Sequence, residues 1–78
     1  MAREQTVRIL AEMVANVIVV EVSVGDEVAP GDPVCLLESM KMEIPVLSEE
    51  GGVVSAVKVT PGDVVQEGDI LVELTAPR

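Results

Sequence analysis

No phenylalanine, tyrosine, tryptophan or histidine occurs in this chain, and only 5 of its 78 residues are basic. Nucleic-acid binding rests on basic patches and, for single strands, on aromatic platforms, so both absences argue against it. Fourteen acidic residues bring the formal net charge to −9, which argues equally against an anionic membrane surface. The charge suits a soluble acidic domain kept apart from its own copies by self-repulsion. Cys35 is the single cysteine, so an intramolecular disulfide is excluded. It sits in Val34-Cys35-Leu36-Leu37 with no basic neighbour to activate it, and reads as a small buried hydrophobe. No apolar run approaches the roughly 20 residues of a membrane span. The first residues contain no hydrophobic region of the signal-peptide type, so a cytoplasmic, reducing location is expected.

What the chain does have is valine, seventeen of them. β-branched side chains are stiff at χ1 and fit a pleated surface, which favours an all-β domain. At 78 residues it is a single small domain, residues 1–78, with a thin core. The ends, 1–6 and 75–78, are expected to fray.

The sequence uses one motif twice, 37 residues apart. Gly25-Asp26 and Gly31-Asp32 in the first half align with Gly62-Asp63 and Gly68-Asp69 in the second. Glycine supplies the positive φ of a tight turn, and aspartate is expected to bond its own downstream backbone. Each half reads as strand, turn, short apolar segment, turn, strand. Val20-Glu21-Val22-Ser23-Val24 and Val57-Lys58-Val59 alternate as half-buried strands do, and Ile70–Leu74 is a further strand. Short strands with regular turns indicate a sandwich or flattened barrel. Val7, Leu10, Val14 and Val17 also fit a helical period. Their counterpart from Ile44 to Val54 holds Pro45 and Gly51-Gly52, which a helix interior does not tolerate, so the N-terminal stretch is assigned as strand.

Lys41 is one of two lysines and stands in Glu38-Ser39-Met40-Lys41-Met42-Glu43. The repeat maps it onto Glu4 and Arg78, which places its hairpin opposite the paired termini. With Met40 and Lys41 as the two central residues of a tight turn, Ser39 faces Met42, Glu38 faces Glu43, Leu37 faces Ile44 and Cys35 faces Val46. That register puts Cys35, Leu37, Ile44 and Val46 on one apolar face and sets two like charges opposite each other. A type I′ turn wants Asn-Gly, so Met-Lys is a poor choice there, and strain retained at one spot points to function. A catalytic amine needs burial or a cationic neighbour to lose its proton near neutral pH. Flanking glutamates act the other way, so Lys41 suits the role of a substrate for another enzyme. On residue chemistry alone, a plain solvated turn lysine and an amine that is modified or recognised both stand. Lys58 reads as an ordinary solvent-facing strand residue. Glu38 and Glu43 could form an acid–base pair, but no histidine or substrate-binding aromatic accompanies them.

The Met-Lys-Met core, the two Gly-Asp turn pairs and Gly52 after the central hairpin closely resemble the biotin carboxyl carrier type of biotinyl/lipoyl-attachment domain. The resemblance runs from about Val7 to Leu74. It implies a barrel-sandwich hybrid: a flattened β-barrel or sandwich of two four-stranded antiparallel sheets with pseudo-two-fold symmetry. It implies biotin joined to Lys41 as an amide by a biotin protein ligase with ATP. Met40 and Met42, with Glu38 and Glu43 beside them, would mark the lysine for the ligase and partners. The carrier would have no active site of its own. It would move a carboxyl group from a biotin carboxylase to a carboxyltransferase, commonly toward an acyl-CoA. Two departures touch the loops: Ala15 stands where the family usually has glycine, with Asn16 expected to take the left-handed conformation instead, and Glu49 replaces a frequent proline. The chain lacks a thumb-type insertion and a Pro/Ala-rich linker, leaving both a stand-alone carrier and an excised domain open. The rival readings are a lipoyl carrier domain, whose usual core is Asp-Lys-Ala, and an unmodified barrel-sandwich interaction module.

Overall fold

The computed structural model describes residues 4–77. Among the described residues eight strands run in the order β1 (Glu4–Leu10), β2 (Ala15–Val20), β3 (Glu27–Val28), β4 (Pro33–Ser39), β5 (Met42–Leu47), β6 (Gly52–Val57), β7 (Val64–Val65) and β8 (Ile70–Pro77). They form two antiparallel four-stranded sheets, β1-β8-β6-β3 and β5-β4-β2-β7. We call these sheet A and sheet B.

The 37-residue offset is the symmetry of the fold. It carries β2 onto β6 and β3 onto β7 residue for residue, and β4 onto the first seven residues of β8. Sheet A therefore maps onto sheet B with its strand order kept. Registers map as well: Val17 opposite Leu37 becomes Val54 opposite Leu74, and the irregularity passing Ile18 recurs at Ser55. The core is duplicated too. Val34, Cys35 and Leu37 of β4 are buried with their counterparts Leu71, Val72 and Leu74 of β8, as is Val17 with Val54. These side chains pack in one core cluster between the sheets. Val34 and Leu71, which precede Cys35 and Val72, join it at register irregularities that interrupt the alternation.

Four Gly-Asp turns hold the ends of the sandwich. In each, the aspartate N–H donates to the carbonyl three residues earlier, as Asp26 does to Ser23 and Asp63 to Thr60. The glycine before it has φ between 92° and 99°, as the third position of a type II turn demands. Pro30 and Pro61 occupy the second position of two of these turns, where their fixed φ fits. The aspartate carboxylates were expected to bond downstream. They accept instead from backbone N–H groups three residues upstream, those of Ser23, Ala29, Thr60 and Gln66. Carbonyl and carboxylate then close the turn from both sides. Two of the turns also clip a strand: Gly25 N–H donates to Val54 O and Val54 N–H to Asp26 O, repeated by Gly62, Val17 and Asp63. The other two clip Ser48 and Ala11, just past the ends of β5 and β1, in the same way.

The strands expected at Val20–Val24 and Val57–Val59 end at Val20 and Val57. The chain there crosses from one sheet to the other. Val22 and Val59 still pack on the core, so alternation persists without a ladder. The N-terminal stretch is strand as expected, broken after Leu10 and resumed at Ala15. Asn16 does not take a left-handed conformation; among the described non-glycine residues only Met40 and Lys41 do. Ala15 instead opens β2 directly, buried and paired with Val65. Glu49 lies in an exposed bend closed by the Ser48 hydroxyl donating to the Glu50 carbonyl. Fraying was expected at 1–6 and 75–78. Glu4–Thr6 and Thr75–Pro77 are paired strand, because β8 is an interior strand, held by β1 and, as far as Thr75, by β6. Residues 1–3 and 78 lie outside the described residues.

Candidate functional site

The β4–β5 hairpin has the register its sequence dictates: Cys35 opposite Val46, Leu37 opposite Ile44, Glu38 opposite Glu43, Ser39 opposite Met42. Cys35 and Leu37 are buried, and Ile44 and Val46 half-buried, so burying this face fixes the register. A one-residue slip of either strand would turn its two apolar residues toward solvent. Two residues remain for the turn, and both have positive φ, 54° for Met40 and 66° for Lys41. This is the type I′ geometry expected of the shortest hairpins.

Lys41 is exposed, Met40 is 92% exposed and Met42 66%. Methionines that filled the core would be hidden, so neither of these is a core residue. Glu38 and Glu43 are exposed on the outward face of sheet B, with Asn16 beside Glu38 and Val64 beside Asn16. The salt bridge among the described residues, Arg8 to Glu73 at 3.3 Å, belongs to sheet A. The two glutamates lie on an open sheet surface and form no cleft, which leaves them nothing to do as an acid–base pair.

The tip and the paired Glu4 and Pro77 are at opposite ends of a body 46 Å long and 19 by 17 Å across. Asn16 pairs with both Glu38, near the tip, and Val64. From Val64 the chain reaches the start of β8 within six residues, and β8 then runs away from the tip to Pro77, opposite Glu4. Lys58 is also exposed, but it follows the end of β6, tied by its N–H to Leu71 O. Its position is a crossover, where no turn presents it.

The turn residues Gly25, Asp26, Gly31, Asp32, Gly62, Asp63, Gly68 and Asp69 are all where the repeat put them, and they build the frame that supports the hairpin. Gly52 is the first residue of β6, opposite Val28. A Cβ there would stand 2.7 Å from the Thr75 carbonyl oxygen, so close strand packing requires glycine. Sequence patterning does not place Asn16 and Val64 next to the hairpin. The two-residue strand β7 is too short to carry a periodic signal, and only the ladder reveals them.

Comparison with known proteins agrees with this geometry. The family model described as "Biotin-requiring enzyme" matches residues 7–74. The chain is 57% identical over 61 residues to a protein named "Biotinylated protein TB7.3 homolog" from Mycobacterium leprae, covering 78% of this chain and 86% of that one. It is 47% identical over 64 residues to the "Biotin/lipoyl attachment protein" of Bacillus subtilis, covering 82% and 88%. Among solved structures, that of a single-chain, multi-domain long-chain acyl-CoA carboxylase superposes with a TM-score of 0.84 at 30% identity. That match takes in 90% of this chain and 7% of the carboxylase chain. The chain belongs to the biotinyl/lipoyl-attachment family, as a non-catalytic carrier of the biotin carboxyl carrier type.

Proposed function

We propose that Lys41 is the attachment point of biotin, and that the chain carries a carboxyl group between a biotin carboxylase and a carboxyltransferase acting on an acyl-CoA. The observation that carries the reading is the Met40-Lys41 turn. It holds an exposed amine at the far end of the sandwich from the Glu4–Pro77 pair. Met on both sides of the lysine, where a lipoyl domain usually has Asp and Ala, favours biotin. The likeness to a long-chain acyl-CoA carboxylase supports the acceptor class.

Lys41 fits the group chemically. Its Nζ is a primary amine, and the turn holds it clear of the sheet. A biotin protein ligase would remove a proton from the ammonium. Nζ then attacks the activated carboxyl carbon held by that enzyme, the C–N bond forms, the C–O bond to the leaving group breaks, and Nζ gives up a second proton as the amide forms. One cation is lost, so the formal charge goes from −9 to −10. Bound biotin supplies a ureido nitrogen that accepts and releases the carboxyl group. The protein's share is presentation. A rigid hairpin on a compact domain gives the arm a high effective concentration near partner sites without an ordering cost.

The test is intact mass after co-expression with a biotin protein ligase. A gain of about 226 Da supports biotin, about 188 Da would mean lipoate, and no gain would leave an unmodified module.

A further inference from the structure

The pseudo-two-fold offers an internal control, because each outward position of sheet B has a counterpart on sheet A in the same backbone setting. One outward row of sheet B is Pro45, Leu36 and Val19, neighbours across β5, β4 and β2. Its counterpart on sheet A is Arg8, Glu73 and Ala56, closed by the 3.3 Å ion pair. The row nearer the lysine is Glu43, Glu38, Asn16 and Val64. Its counterpart is Thr6, Thr75, Val53 and Glu27. Val64 is 66% exposed and Val19 41%. The fold does not need apolar side chains at Val64, Leu36 and Pro45, since those positions on sheet A carry Glu27 and the Arg8–Glu73 ion pair. Val19 has the smaller apolar counterpart Ala56, and sheet A exposes Val53 where sheet B has Asn16. Sheet B thus combines exposed aliphatic groups with two carboxylates on the face that ends at Lys41.

An enzyme that acylates Lys41 must cover the tip, and the tip alone is small. A specific interface covers about 800 Å² per partner, roughly a sixth of the 5060 Å² surface of this domain. The footprint has to run down one face. Leu36 lies four residues before Met40, about 13 Å along the strand, within such a footprint.

Resting on the reading of Lys41 as the acceptor, we infer that the outward face of sheet B, centred on Val64, Val19, Leu36 and Pro45 with Glu38 and Glu43, is the docking surface of the acylating enzyme. The complementary surface is an apolar ridge flanked by lysine or arginine side chains. A second copy of the chain is disfavoured as the occupant, because it would bring Glu38 and Glu43 of both copies together at −9 per chain.

The experiment measures KM and kcat for biotinylation by a purified biotin protein ligase with biotin and ATP. Val64→Thr, and separately Val19→Thr with Leu36→Thr, raise KM by about tenfold with kcat unchanged. Ala56→Thr, on the equivalent row of sheet A, leaves both constants at wild-type values. Glu38→Gln with Glu43→Gln flattens the rise of KM with salt. Val64 is so exposed that its variant keeps the fold, and that variant alone can decide the matter. An unchanged KM in Val64→Thr overturns the inference while the wild type still gains biotin. A wild type that gains no mass overturns the reading of Lys41 itself. Sedimentation showing a dimer that Val64→Thr dissolves would assign the face to a second copy and overturn the inference as well.

Discussion

Glu38 and Glu43 stand directly opposite one another in the β4–β5 hairpin, one residue pair from the Met40-Lys41 turn. Like charges facing across two strands destabilise the pair by a few tenths of a kcal/mol. Glu43→Gln therefore raises stability by about 0.5 kcal/mol, roughly 3 °C in Tm for a domain of this size. Thermal unfolding checks it, and the increment shrinks at about 1 M salt, where exposed charges are screened.

The turn itself stores more. Two non-glycine residues in the left-handed region cost about 1–3 kcal/mol each, and type I′ turns favour Asn-Gly. The double substitution Met40→Asn, Lys41→Gly stabilises the domain by about 1–2 kcal/mol, raising Tm by roughly 5–10 °C, and abolishes the biotin adduct. An unchanged Tm would show that the hairpin adopts this geometry without strain.

Cys35 gives the domain a defined alkaline limit. Burial, reinforced by the Glu21 carboxylate, pushes its thiol from 9.0 to about 11. The folded state keeps the proton that the unfolded chain releases. Stability is therefore full below pH 9.0 and is lost as pH rises toward 11, by at most about 1.4 kcal/mol per pH unit. Cys35→Val, which copies Val72 at the equivalent position, lacks this slope. Urea unfolding of both proteins across that range measures the difference.

Gly52 and Ala15 are equivalent by the offset yet differ in tolerance. Gly52→Ala forces a Cβ to 2.7 Å from the Thr75 carbonyl oxygen and destabilises by about 2–3 kcal/mol. Ala15→Gly costs less than about 1 kcal/mol, the entropy of the freed backbone. Denaturant midpoints of the two variants test the ranking.

Much of this was legible because burial and turn chemistry are local. The hairpin register followed from the alternation of Cys35, Leu37, Ile44 and Val46 around a two-residue turn, and the duplication from the Gly-Asp pairs. The ends of β2 and β6 were not legible. Val22 and Val59 stay against the core while the chain changes sheet, so the apolar alternation outlasts the ladder. The upstream bonds of Asp26, Asp32, Asp63 and Asp69 depend on a type II turn that composition alone does not select. The Glu38–Glu43 pair was legible, but its extension to Asn16 and Val64 was not, because it crosses to two further strands, one of them two residues long.

The assignment of Lys41 is tested most directly by locating the adduct. The chain is biotinylated by a ligase, digested, and sequenced by tandem mass spectrometry. The prediction is that the biotinyl mass falls on Lys41 and none on Lys58, and that Lys41→Arg gains no mass. Biotin on Lys58, or an adduct retained in Lys41→Arg, would contradict it.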